Sequence, residues 1–260
     1  MRTPILALFV ALGALSWSAQ AGAQIPERTQ QLIVVRTADW QAIPATLERF
    51  ERNAPDQPWR SLGVVPAVVG KKGMGWGRGL VMPPEGGNAD FRQEGDKRAP
   101  AGMFALGTAF GLMEAAQAAK TLKWPYLHLS DSIRCIGDNT SQAYNSLVDV
   151  RTVQRDWQRD QANEYMRMDA IRDEGAYRWG VFVNHNVDSN PPGLQRDRKS
   201  GSCIFLHLWK GPGIGTSGCT AMSQPHMLAI LRWLDPVKQP VLVQLPESEY
   251  QQLKTPWLLP

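Results

Sequence analysis

A set of short apolar runs decides what this chain can fold into. They are Leu32-Ile33-Val34-Val35, Val64-Val65-Pro66-Ala67-Val68-Val69, Gly180-Val181-Phe182-Val183-Asn184, Cys203-Ile204-Phe205-Leu206-His207-Leu208-Trp209 and Val241-Leu242-Val243-Gln244-Leu245. Each is too short for a stable helix, rich in β-branched or aromatic residues, and separated from the next by glycine- and proline-bearing connections. Such runs predict strands. Lys97-Arg98-Ala99-Pro100-Ala101-Gly102-Met103-Phe104 reads as a turn leading into a further strand. Helical signals are fewer. Ser223 is placed as the N-cap of a helix whose apolar residues Met227, Ile230, Leu231 and Leu234 fall at i, i+3, i+4 and i+7. Ala42 to Arg52 also reads as helical, Leu112 to Lys120 as a short helix, and stretches around 151–172 as helical. The expected fold is mainly β of the α+β kind, with 112–178 a partly helical insertion on one catalytic-sized domain spanning 24–260.

The N-terminus sets the compartment. Arg2 precedes the apolar run Ile5 to Leu15, and Ala21-Gly22-Ala23 then offers small residues before Gln24. A positive start, a short apolar centre and a small-residue exit describe a secretory signal peptide over 1–23, cleaved near Ala23. No later segment approaches the roughly 18 apolar residues of a membrane span, so no stable insertion is expected after cleavage. A polar leader fills 24–31. Charged residues make up 20% of the 260 residues and the net charge is +4, spread too thinly to argue for nucleic acid. Outside the reducing cytosol, three cysteines (Cys135, Cys203 and Cys219) are an odd set. At most two can pair, three pairings exist, and spacing alone does not choose among them.

In the strand 203–209, alternation places Ile204, Leu206 and Leu208 on one face and Cys203, Phe205, His207 and Trp209 on the other. The glycine-rich stretch Lys210 to Gly215 follows, and Thr216-Ser217-Gly218-Cys219 comes before the helix. A hairpin-like return of that length can bring Cys219 beside His207. A cysteine attacks a carbonyl as thiolate, and at its ordinary pKa of about 8.5 only a few per cent is ionised at neutral pH. An adjacent imidazole takes the proton and, once charged, holds the thiolate. Gly218 leaves backbone amides next to the sulfur for an oxyanion. A packed core histidine and an inert buried cysteine are the alternative reading of the same two residues.

The segment from His207 to Met222 resembles the signature of L,D-transpeptidase (YkuD-type) catalytic domains: a strand histidine, a glycine-containing loop, then Ser/Thr-x-Gly-Cys. Residues 97–104 are similar to the upstream Thr-Pro-x-Gly-x-Phe strand of that family, and Gly201 to His207 with Thr216 to Met222 looks closest to a proteobacterial exported branch. The resemblance runs from about Leu32 to Leu245 and is least in 112–178. It implies a β-sandwich catalytic domain, Cys219 as nucleophile, His207 as its base, the Leu208 carbonyl as the group orienting the imidazole, and Thr216 at the Ser/Thr position. It implies peptidoglycan stem peptides as substrate, a periplasmic location, no cofactor, and acylation of Cys219 by carbapenems. With Cys219 as the nucleophile, Cys135 and Cys203 are left to form a disulfide, worth roughly 4 kcal/mol by loop entropy. The chain departs from the pattern at Ser217, where many members carry a second histidine. It departs again at Thr220-Ala221, where an arginine commonly follows the nucleophile to hold a substrate carboxylate. Transpeptidation, carboxypeptidase trimming and hydrolysis of wall-linked peptides or protein all stay open, as does a silent wall-binding module.

Other residues carry weaker signals. His185 ends a strand beside Asn186 and is a candidate substrate contact or a structural loop histidine. Among the ten tryptophans, Trp76 and Trp209 adjoin glycine-rich loops and are candidates for lining a groove. Gly70 to Gly79 reads as a hairpin turn, since no Gly-Lys-Ser/Thr closes it as a phosphate loop. No histidine, cysteine or acidic pair has zinc spacing, so no metal is expected.

Overall fold

The computed structural model describes residues 24–84, 90–167, 169, 175–188 and 191–260. The signal-peptide segment lies outside the described residues, as does part of the expected 151–172 helical stretch. Among the described residues thirteen strands run in chain order: β1 (Gln31–Thr37), β2 (Pro44–Glu51), β3 (Arg60–Val68), β4 (Met74–Trp76), β5 (Ala99–Gly111), β6 (Tyr126–His128), β7 (Ile133–Cys135), β8 (Leu147–Asp149), β9 (Glu164–Tyr165), β10 (Trp179–Val183), β11 (Phe205–Leu208), β12 (Thr220–Met222) and β13 (Val241–Pro246). The α-helices among the described elements are α1 (Ala115–Ala118), α2 (Gln224–Trp233) and α3 (Glu247–Leu253). The fold is mainly β with few helices, as the runs of β-branched residues require.

The strands do not form two stacked sheets. They follow the order β10-β11-β12-β3-β2-β1-β13-β5, and β5 pairs again with β10, so eight strands close into a ring. The expected sandwich is therefore replaced by a barrel. The cause is the length of β5: its residues Gly102 to Ala105 pair with β13, and Leu106 to Gly111 pair with β10. One long strand thus joins what would otherwise be two separate edges, and closure removes the unpaired edges that an open sheet must protect.

Local sequence explains the individual strands. β1 and β13 are parallel neighbours, and nearly every residue of both is buried. A strand covered on both faces reads as a continuous apolar run, which is what Leu32 to Val35 and Val241 to Val243 are. The C-terminal helix α3, which no sequence signal announced, packs on these two strands and buries Tyr250 and Leu253. The segment 24–30 is tied down as well, with the Ile25 amide donating to the Trp257 carbonyl (3.1 Å).

Residues 44–51 are a strand, not the expected helix. Ala45, Leu47 and Phe50 are buried, and a register shift against β3 lies between Glu48 and Phe50. The extra residue of that bulge lies in β3, between Ser61 and Val64; β2 keeps unbroken register with β1, and its buried positions 45, 47 and 50 mix a strand spacing with a helical one. Pairing with β1 and β3 overrides the helix-forming Ala, Leu, Glu and Arg of this stretch. In contrast, α2 forms as its periodicity predicts: Met227, Ile230 and Leu231 are buried, and the helix packs on β10 and β11. Ser223 stands at the N-cap position, but its hydroxyl meets His226 Nδ1 (3.0 Å) and caps no backbone amide.

The region 112–178 is also less helical than expected. Beyond α1 and single 3₁₀ turns at Asp160–Ala162 and Gly175–Tyr177, it builds a small antiparallel sheet in the order β8-β7-β9. Buried Asp138 organises the loops around it, accepting from the backbone amides of Gln158 (2.9 Å) and Arg159 (2.7 Å) and pairing with the Arg159 guanidinium (2.9 Å). A disulfide between Cys135 and Cys203, with Cα atoms 5.9 Å apart, fastens β7 to the residues just before β11.

Candidate active site

Alternation along β11 is realised. Ile204, Leu206 and Leu208 join the main apolar core, while Phe205 faces a second cluster made of Phe110, Phe182, Leu129, Ile133, Cys135, Met166, Tyr177 and Cys219. Barrel strands supply one side of that cluster and the 112–178 region the other. His207 shares the Phe205 face, with the Tyr177 ring edge-on to its imidazole at 5.3 Å between centroids.

Cys219 arrives there by a different route from the one expected. β11 and β12 are parallel, with Leu206 opposite Thr220 and His207 opposite Ala221. The 209–219 connection is thus a crossover, not a hairpin. It is held along its return by Thr216, whose amide donates to the Val69 carbonyl (3.0 Å) and whose own carbonyl accepts from Lys71 (2.9 Å). Gly215 lies against Lys71 so closely that a Cβ there would meet its Cα at 2.8 Å. The register sets Cys219 beside Phe205, whose amide donates to Sγ at 3.3 Å, while the thiol points to the Cys203 carbonyl at 3.6 Å. Cys219 is the free cysteine.

The imidazole orientation is fixed by its neighbour. His207 Nδ1 lies 2.8 Å from the Leu208 carbonyl. A carbonyl only accepts, so Nδ1 carries the hydrogen and Nε2 keeps its lone pair, the form a general base needs. Both reactive groups are buried, at 8% exposure each. Burial pushes the His207 pKa down to about 4, against a smaller upward pull from the Leu208 carbonyl. Burial also pushes the Cys219 thiol up to about 12; the Phe205 amide and the charge of Arg92 pull it down, and Glu164 pushes it further up. At neutral pH the resting pair is therefore thiol and neutral imidazole. Among the described residues the two share no hydrogen bond, and burial favours the neutral form of each, against the expected thiolate held by an imidazolium.

The remaining site expectations divide. Gly218 is in the left-handed half of backbone space (φ 144°), but its amide donates to Thr216 Oγ1 (3.1 Å), so that N–H closes the turn and is not left for an oxyanion. The Thr216 hydroxyl in turn donates to the Cys219 carbonyl (2.6 Å), so Thr216 braces the turn that carries Cys219. Ser217 is exposed at the tip of that turn, and Trp209 is half-buried just after His207. His185 is 1% exposed, with Nε2 2.9 Å from the Ser200 carbonyl and Nδ1 accepting from the Arg78 amide (3.1 Å). Both nitrogens are occupied by backbone, so it is the structural loop histidine of the two readings. Trp76 is buried at 2% exposure against Trp40 and lines no groove. Among the described residues no group of three or more histidine, cysteine or acidic side chains is placed to hold a metal ion.

Three contributors escaped the sequence reading. Tyr177 covers His207 and donates from its hydroxyl to Glu164 (3.1 Å). Asn145, held in the left-handed region (φ 60°), accepts from the Cys203 amide (2.9 Å) and donates to the carbonyls of His185 and Asn186. Arg92 is buried behind the nucleophile turn. All three come from loops without periodicity; the one available clue was the pair of glycines, Gly201 and Gly218, against which Arg92 packs. A cavity of about 410 Å³ lies on the far side of the Arg92 loop, lined by Lys72, Asp90, Phe91, Gln93, Asp96 and Arg98. Neither Cys219 nor His207 borders it.

Fold and site together define a closed β-barrel with one unpaired thiol and one oriented imidazole on the same face of neighbouring strands, under a disulfide-fastened cover. No protein-family model matches the chain, and no curated protein matches it. No helix among the described residues is long and apolar enough to cross a membrane.

Proposed function

We propose that the protein is an exported, periplasmic cysteine acyltransferase of the L,D-transpeptidase (YkuD-type) kind, acting on peptidoglycan stem peptides. The observation that carries this reading is the division of labour among the cysteines: two are bridged, and the third lies unpaired on the same sheet face as an imidazole whose Nε2 is free to accept a proton. A bridge beside a free thiol fits an exported chain, where unused thiols are oxidised.

The neutral resting pair dictates the order of events. Because burial holds both groups uncharged, the thiol proton passes to His207 Nε2 as the sulfur attacks, not before. Attack falls on the carbonyl of the L-centre of the third stem residue, diaminopimelate by resemblance. The C–S bond forms, the carbonyl electrons move to oxygen, and collapse expels the terminal D-amino acid as its amine takes the proton from His207. The Leu208 carbonyl, accepting from Nδ1, steadies the imidazolium during that interval. An amine of a neighbouring stem then resolves the acyl-enzyme to a cross-link, or water resolves it to a trimmed stem. No cofactor enters.

Hydrolysis of stem or wall-linked peptide bonds is the second reading, favoured by Thr220-Ala221 and Ser217 at positions where a carboxylate-binding arginine and a histidine are common in the family. Incubation with a disaccharide-tetrapeptide, with and without an acceptor stem, followed by mass spectrometry of the products, separates the two. Cross-linked dimers that require Cys219 support acyl transfer to an amine; tripeptide alone in both cases supports hydrolysis. Unchanged substrate with bound protein would leave only a wall-binding module.

A further inference from the structure

The buried thiol needs a source of positive potential if it is to lose its proton, and the amide of Gly218 is already committed. Arg92 supplies one. Its side chain is 2% exposed. Nη2 donates to the neighbouring Gln93 carbonyl (3.2 Å) and lies 3.6 Å from the Asp96 carboxylate. Nε and Nη1 are buried without an acceptor among the described residues. The guanidinium fills the space that a side chain at Gly201 would take: a Cβ there would collide with Nη1, and one at Gly218 would stand 3.6 Å from Nη2. Gly201 lies two residues before Cys203, whose carbonyl receives the Cys219 thiol, and Gly218 directly precedes the nucleophile. The cation is thus wedged behind both backbone segments that frame the sulfur.

A buried charge with two unpartnered N–H groups is costly to folding, and the carboxylate it pairs with, Asp96, also accepts from the Gln93 and Arg98 amides and so keeps partners when the guanidinium is removed. We infer that Arg92 is a positioning residue that stabilises negative charge on the Cys219 sulfur as the thiol proton leaves for His207, acting through the Gly201 and Gly218 backbone without touching substrate. Other groups facing the sulfur do not serve. His207 is neutral at rest and Glu164 of the cover has the opposite sign. The inference rests on Cys219 being the nucleophile and not on the identity of its substrate.

Iodoacetamide alkylation of Cys219 in the full folded chain, followed by mass spectrometry, tests this without any wall peptide. Alkylation joins sulfur to the acetamide carbon, expels iodide and releases the thiol proton, so its rate follows thiolate content. Arg92→Met should still fold, with a melting temperature lower by a few degrees at most, while slowing alkylation at neutral pH by about tenfold, the equivalent of one pKa unit. Arg92→Gln should slow it similarly, and Arg92→Lys should stay near the wild-type rate. A merely structural arginine predicts the reverse, because loosening the turn exposes the thiol and speeds its modification. Equal or faster alkylation in Arg92→Met and Arg92→Gln would overturn the inference. So would an Arg92→Lys as slow as the neutral variants, or failure of both neutral variants to fold. Opposed rates in a protein that leaves stem peptides untouched would keep the electrostatics and reject the substrate.

Discussion

The molecule has two apolar clusters that are built differently. The main core is largely aliphatic and drawn from strands and helices with strong patterns: Leu32 to Val35, Val241 to Leu245, and Met227, Ile230 and Leu231 of α2. The second is aromatic and sulfur-rich, and half of it comes from loops and two- or three-residue strands held by a disulfide. The first cluster determines the barrel. The second buries an imidazole and a thiol on one face, where burial favours the neutral form of each.

That contrast can be broken in graded ways. The largest effect is on activity: Cys219→Ala should abolish turnover of stem peptides, while its melting temperature stays within a few degrees of wild type, as read by thermal denaturation. Phe205→Ala should cost about 3–5 kcal/mol in urea unfolding, because the ring packs edge-on against Phe110, Tyr177 and Phe182 and its loss leaves a cavity. Reducing Cys135–Cys203, or replacing both by serine, should cost about 2–4 kcal/mol. Amide exchange should then rise in β7 and β11 while β1 and β13 stay protected.

A pH titration sharpens the same contrast. The folded-state pKa of His207 is about 4, below its ordinary 6.5, and that of His185 is about 3. The unfolded chain therefore binds protons that the folded chain refuses. Stability should be full above pH 6.5 and decline as the pH falls to about 4 and below, by roughly 3 kcal/mol for His207 alone. His207→Gln should flatten the upper part of that decline in denaturant melts taken across the range; an unchanged slope would mean that the ring is not buried neutral. The smallest effect is that of Tyr177→Phe, which deletes the hydroxyl contact to Glu164 while keeping the edge-on ring, at a cost of about 1 kcal/mol.

The two clusters also differ in how legible they were in the sequence. Strands β1, β10, β11 and β13 and helix α2 could be read directly, because burial on one or both faces leaves a periodic or continuous apolar signal. β2 could not, since its buried residues Ala45, Leu47 and Phe50 have a spacing that mixes two periods. The β8-β7-β9 sheet is too short to have any period, and its stability lies in the disulfide and the Asp138 hydrogen bonds. Sandwich and barrel share the same strands and differ by one seam between β5 and β10. For the site, Cys219 and His207 stood out as an odd thiol and a strand imidazole, and the Leu208 carbonyl orients that imidazole. Their charge state did not stand out, because it depends on what covers them, and the cover comes from loops. The roles of Thr216 and Gly218 turned on which hydrogen bonds the turn itself consumes.

The central claim is that Cys219 forms a covalent acyl-enzyme with His207 as its base. Intact-mass spectrometry after brief exposure to a disaccharide-tetrapeptide or a carbapenem reads this directly. The account predicts one adduct, mapped to Cys219, absent in Cys219→Ala and formed far more slowly in His207→Ala. No adduct at any time point, or one that forms equally fast without the imidazole, would contradict it.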